Sequence, residues 1–142
     1  MKVGIIEVLG AEEVNNILED EFEKEISTVE IKRYLVPTID DAVLGARKLF
    51  DDGCDFAVIG YALEADEKLS VAFQTSVLLA QAYLGKHIFR VIVPAEEDLK
   101  EYSKAAAMEI IRYFYKPSEL KSEWQAKPEE RTGFEAFSSM FG

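Results

Sequence analysis

Glu64, Asp66, Glu67 and Lys68 form the stretch whose residue types and spacing best suit chemistry. Carboxylates this close together can move protons or bind a hard cation such as magnesium. The same acids would equally suit a solvated helix N-terminus, where the helix dipole favours them. Other chemistries fail on the inventory. One cysteine, Cys54, and one histidine, His87, cannot make a zinc site, and no Ser-His-Asp or Cys-His set can be built. His87, in Gly85-Lys86-His87-Ile88, reads as a structural residue where a helix turns into a strand. Cys54, beside Gly53 at the start of an apolar run, reads as a small buried hydrophobe. Gly10 stands alone after the first apolar run, and Glu12 and Glu13 follow it. Acids there would repel a phosphate, so a nucleotide held by a glycine-rich loop is not expected. A phospho-acceptor site needs an aspartate ending the third strand, but Asp55 begins it.

These residues need a scaffold, and the chain has the length for one. Its 142 residues suffice for a single domain with its own core. The 49% apolar and 30% charged residues are the balance of a soluble globular protein. No run approaches the roughly 18 apolar residues of a membrane span. Met1 to Ile6 read as a strand rather than a signal peptide. The lone cysteine can form no internal disulfide, which fits a reducing cytoplasm. A net charge of −11 repels phosphate backbones, so nucleic acid is not an expected partner.

Strands and helices alternate along the chain. Residues 2–9 are nearly all apolar and predict a strand. Residues 11–25 place Val14, Ile17, Leu18 and Phe22 at helical spacing. Residues 28–36 alternate, with Arg33 and Lys32 among them. Pro37 stops that strand, and Thr38 is a candidate cap for a helix that buries Ile39, Ala42, Val43, Ala46, Leu49 and Phe50. Residues 55–63 predict a third strand. The acidic loop then leads into a helix with Leu69, Ala72, Phe73, Ser76, Ala80 and Tyr83 along one side. Residues 87–93 predict a fourth strand and 96–116 a fourth helix. Such alternation gives parallel strands joined by right-handed crossovers. Strands one and three, apolar on both faces, belong in the centre. Strand two, charged on alternate residues, and strand four, carrying Arg90, belong at the edges. The expectation is a three-layer α/β/α fold with a four-stranded parallel sheet in the order 2-1-3-4. A crevice should open at its carboxyl ends, between strands one and three. Residues 1–116 would form this domain. Residues 117–142, with Trp124, Phe134, Phe137, Met140 and Phe141, would be an extension packing on its own or a neighbouring subunit.

Three stretches resemble the archaeal-type riboflavin synthase family, itself related to lumazine synthase. The first runs from Val36-Pro37-Thr38-Ile39-Asp40-Asp41 through Arg47-Lys48-Leu49-Phe50 to Asp52-Gly53-Cys54-Asp55. The second is Leu79-Ala80-Gln81 with Gly85-Lys86-His87-Ile88. The third is Tyr115-Lys116-Pro117-Ser118-Glu119-Leu120, followed by Gly133-Phe134-Glu135. The resemblance implies a lumazine-synthase-like fold of the flavodoxin-like type, a ring of five subunits and sites between neighbours. It implies the joining of two 6,7-dimethyl-8-ribityllumazine molecules to give riboflavin and a pyrimidine. No redox cofactor is implied, and magnesium assists some members. Carried over by position, Val8, Leu9, Gly10, Pro37, Thr38, Ile39, Gly60, Tyr61 and Ala62 would bind substrate, and Glu64 and Lys68 would handle protons or the ribityl chain. Where the family's third helix carries a histidine and a glutamate, this chain has Val71, Ala72, Phe73 and Gln74. Lumazine synthase, or a flavin or lumazine binder without turnover, are the alternative readings.

Overall fold

A computed structural model describes residues 1–115. The expected extension at 117–142 lies outside the described residues. The elements run β1 (Lys2–Val8), α1 (Glu12–Glu25), β2 (Glu30–Val36), a 3-10 turn (Ile39–Asp41), α2 (Ala42–Asp51), β3 (Phe56–Ala62), α3 (Val71–Leu84), β4 (Ile88–Val93) and α4 (Leu99–Tyr115). The four strands pair in parallel in the order β2-β1-β3-β4. This is the expected sheet, and it follows from where the apolar runs lie. β1 and β3 are almost wholly buried, because a helix layer covers each of their faces.

Strand alternation sorts the core into two layers. Val3, Ile5, Phe56, Val58, Phe89 and Val91 face α1 and α4, where they meet Leu18, Phe22, Ala106 and Ile110. Ile6, Val8, Ala57, Ile59 and Ile88 face α2 and α3, where they meet Ala46, Leu49, Phe73 and Val77. Each large side chain so buried contributes roughly 1.5–3 kcal/mol relative to exposure.

Helix ends follow local chemistry. α2 gives way to Gly53, whose φ of 92° is the left-handed conformation glycine favours. α3 ends on Gly85, also left-handed. Thr38 does not cap as expected: its hydroxyl donates to the Asp41 carboxylate at 2.9 Å instead of accepting a backbone N–H. α3 also starts later than its apolar spacing predicts. Ser70 accepts a hydrogen bond from the Phe73 N–H at 3.0 Å, so the helix begins at Val71 and leaves Leu69 in the loop. Ala72 and Tyr83 point outward rather than into the core. Among the described residues, no helix is long and apolar enough to cross a membrane.

Candidate functional site

The carboxyl end of the sheet is closed by the loops after β1, β2 and β3. Parallel pairing brings these loops together at the point where the chain order reverses. The Leu9 N–H donates to the Val36 carbonyl at 2.9 Å, which ties the tip of β1 to that of β2. The Ala11 N–H returns to the Val8 carbonyl at 2.9 Å, and Gly10, at φ 92°, makes the tight turn into α1.

The residues carried over by resemblance all reach this end, but with different exposure. Val8 is buried, and Leu9 is an apolar side chain 62% exposed. Pro37 and Thr38 are exposed and Ile39 is half-buried. Tyr61 and Ala62 are half-buried at the tip of β3. Val8, Ile39, Tyr61, Leu69 and Phe73 belong to one apolar cluster on the α2/α3 side of the sheet. Val8 and Phe73 are buried in it, Ile39, Tyr61 and Leu69 form its half-buried side, and the exposed Leu9 and Gly10 follow Val8 in the chain.

Gly60 and Tyr61, adjacent in β3, point to opposite faces. Gly60 faces α1, where Asn15 fills the space a side chain would need. A Cβ built on Gly60 would lie 2.2 Å from Asn15 Oδ1. Asn15 is fully buried and donates to the carbonyls of Ala11 at 2.8 Å and Gly60 at 3.3 Å, while its Oδ1 has no partner. Below it on the same face, Arg33 of β2 pairs with Glu7 of β1 and donates to Asn16 at 2.7 Å.

In the acidic loop, Glu67 is the residue that reaches Tyr61. The Tyr61 hydroxyl donates to Glu67 Oε2 at 2.6 Å, and the Glu64 N–H donates to Glu67 Oε1 at 2.9 Å. The Glu67 N–H donates back to the Glu64 carbonyl at 3.0 Å. Asp66, at φ 65°, turns the chain so that these bonds close. The carboxylate's hydrogen bond, then burial, then the charges of Glu67 and Glu64 push the Tyr61 phenol up to about 12. Tyr61 is therefore a neutral donor at physiological pH. Glu64 and Lys68 are exposed and do not pair with one another among the described residues. The Tyr61–Glu67 pair is legible only as a spacing of six across a loop, which carries no period of its own. Asn15, buried and polar in a helix of mixed charge, gave no signal at all.

The magnesium that the resemblance admits does not fit this loop. Glu67 spends both oxygens on Tyr61 and Glu64, and among the described residues no three acidic, histidine or cysteine side chains converge. His87 sits at the opposite end of the sheet. Its ring lies 5.3 Å from that of Phe89, and its Nε2 is 3.3 Å from the Tyr113 hydroxyl. An open hollow of about 620 Å³ also lies at that amino end, lined by Met1, Lys2, Thr28, Val29, Glu30 and Asp55. The Lys2 N–H already donates to Asp55 at 2.8 Å there, and the hollow is wide open to solvent with Lys2, Thr28, Glu30 and Asp55 among its lining residues. At the carboxyl end, the half-buried Ile39, Tyr61 and Leu69 stand with the Glu67 carboxylate that holds the Tyr61 phenol. No family model matches the chain, and no curated protein matches it either.

Proposed function

We propose that this chain is a riboflavin synthase of the archaeal type, converting two molecules of 6,7-dimethyl-8-ribityllumazine into riboflavin and a pyrimidine. The observation that carries the reading is the apolar wall at the strand tips, with Tyr61 held on it by Glu67. The three resembling stretches give the wall its ligand. Joining two flat rings asks mainly for stacking in one orientation, which can supply up to about 7–11 kcal/mol of a barrier in ideal cases. Ile39 and Tyr61 would form the floor over the buried Val8, and Leu9 and Gly10 the rim. Glu64 and Lys68, exposed on the solvent side, would handle the methyl proton or the ribityl hydroxyls, while Glu67 holds Tyr61 in place. No redox cofactor enters the reaction. One chain walls the ligand on one side only, so a homo-oligomer, a ring of five by resemblance, would complete the enclosure in the cytoplasm.

Purified full-length protein given 6,7-dimethyl-8-ribityllumazine should develop riboflavin fluorescence. Tyr61→Phe should raise KM more than it lowers kcat, because the phenol binds rather than reacts. Absence of product from pH 5 to 9, with and without magnesium, rejects catalysis.

One observation favours a second reading, a lumazine or flavin binder without turnover. The first turn of α3, Val71-Ala72-Phe73-Gln74, carries no ionisable group. Saturable quenching of added riboflavin or lumazine fluorescence, without product, would select the binder. Formation of the lumazine from a pyrimidine diamine and a four-carbon phosphate would select lumazine synthase instead.

A further inference from the structure

We propose that the free edge of β4 is built to refuse an added strand, and that the inward charge of Arg90 is its main guard. Among the described residues β4 pairs with β3 alone, so its other edge is open. Its sequence, Ile88-Phe89-Arg90-Val91-Ile92-Val93, is of the kind that recruits strands: β-branched or aromatic, without glycine or proline, and with one charge. β2, at the opposite edge, exposes Glu30 and Lys32, whereas β4 exposes no charged side chain. β4 must therefore keep other chains away by different means.

The ladder determines which backbone groups that edge offers. The Ala57 N–H donates to the His87 carbonyl at 3.1 Å, and the Leu63 N–H donates to the Val93 carbonyl at 2.9 Å. Alternate residues of a parallel strand turn their backbone groups to the same side. Phe89 and Val91 therefore face β3 with His87 and Val93, while Ile88, Arg90 and Ile92 face outward. The outward Ile88 N–H is already taken, because Gln81 of α3 accepts it through Oε1 at 2.9 Å. Pro94, next in the outward series, has no N–H to offer. Only the N–H groups of Arg90 and Ile92 remain for a new strand. Arg90 itself turns its side chain under α3, where it is 2% exposed. Its Nε has no partner, and its Nη1 reaches only the Gln74 carbonyl, at 3.5 Å. Among the described residues no carboxylate pairs with it. β3 lies on one side of it and α3 above, so a strand laid on the free edge would shut off the water it still meets. Completing the desolvation of this charge costs more than the few hydrogen bonds on offer return. An inward-pointing charge, a capped donor and a terminal proline all blunt the same edge. Copies in the ring proposed above would then meet β4 through side chains and not by continuing its sheet. The guard does not depend on which ligand the strand tips hold.

The full-length Arg90→Met chain tests this, because it keeps a long side chain and removes the charge. Light scattering over a concentration series compares it with the unmutated chain and with Arg90→Lys. Concentrated Arg90→Met should reach at least double the mass of the unmutated chain at the same concentration, and should bind thioflavin T. Its urea midpoint should not fall. Arg90→Lys should match the unmutated chain in mass and bind no dye. In the Arg90→Met assembly, amide exchange should slow at positions 90 and 92, whose N–H groups face outward. Equal masses for Arg90→Met and the unmutated chain overturn the proposal. Association shared by Arg90→Lys overturns it too, since charge would then be no guard. Association without slowed exchange at positions 90 and 92 names another surface, and association with a lowered urea midpoint comes from the unfolded chain. Either result also overturns the proposal.

Discussion

At the scale of single residues, the candidate site turns on one carboxylate. Glu67 accepts from the Tyr61 phenol with one oxygen and from the Glu64 backbone with the other, so it fixes both a donor and a loop. The acidic stretch was visible in the sequence, but its division of labour was not. Glu67 reaches Tyr61 only because Asp66 adopts a positive φ, and a non-glycine residue gives no sequence signal of that. An anionic acceptor holds a phenol's proton, which is why Tyr61 is pushed up to about 12. The bond thus adds stability in full below the ordinary phenol value, roughly 10, and loses it as pH rises through that of the folded state. Glu67→Gln keeps an acceptor and removes the charge. Tyrosinate absorbance should then show one phenol ionising nearer its ordinary value, the same one that vanishes in Tyr61→Phe. A titration identical to the unmutated chain would show that Glu67 does not govern Tyr61.

At the scale of elements, the sheet was largely legible and the helix starts were not. Apolar runs without alternation put β1 and β3 in the centre, and charges within β2 and β4 put those strands outside; the sheet has that order. The two edge arginines nonetheless have opposite environments, for a reason no strand pattern shows. Arg33 keeps contact with solvent and pairs with Glu7. Arg90 is 2% exposed beneath α3, its Nε has no partner, and Nη1 only reaches the Gln74 carbonyl at 3.5 Å. Burial lowers this guanidinium to about 10, which still leaves it charged at neutral pH. Cover by helices from elsewhere in the chain decided this, as Ser70 rather than the apolar spacing decided where α3 starts. Desolvating an ion costs several kcal/mol, and a long bond to one neutral carbonyl repays little of it. Arg90→Met should therefore leave stability unchanged or raise it, by up to about 1–4 kcal/mol, in urea unfolding. A marked loss would mean that a carboxylate or a bound anion meets this guanidinium.

Across the whole molecule, the two ends of the sheet divide the work. The carboxyl end carries the Gly10 turn, the acidic loop and the half-buried apolar side chains around Tyr61. The amino end is tied by rings: Phe56 stacks on Phe114 at 4.3 Å, and His87 lies against Phe89, Tyr113 and Phe114. The lone histidine is thus a structural member, as its place in the sequence implied, and burial lowers its pKa. A lowered imidazole pKa means that the folded chain resists a proton the unfolded chain accepts. Its contribution to stability is complete above the ordinary imidazole value, roughly 6.5, and is lost as pH falls through the folded value. Glu19, raised by partial burial, acts with the opposite sign, because a proton taken up there favours the folded chain. Unfolding by urea between pH 7 and pH 5 should therefore show stability falling with pH in the unmutated chain. His87→Gln, which can still bond Tyr113 but cannot ionise, should flatten that slope. Equal slopes in the two proteins would remove His87 as the source and move the acid sensitivity to the carboxylates.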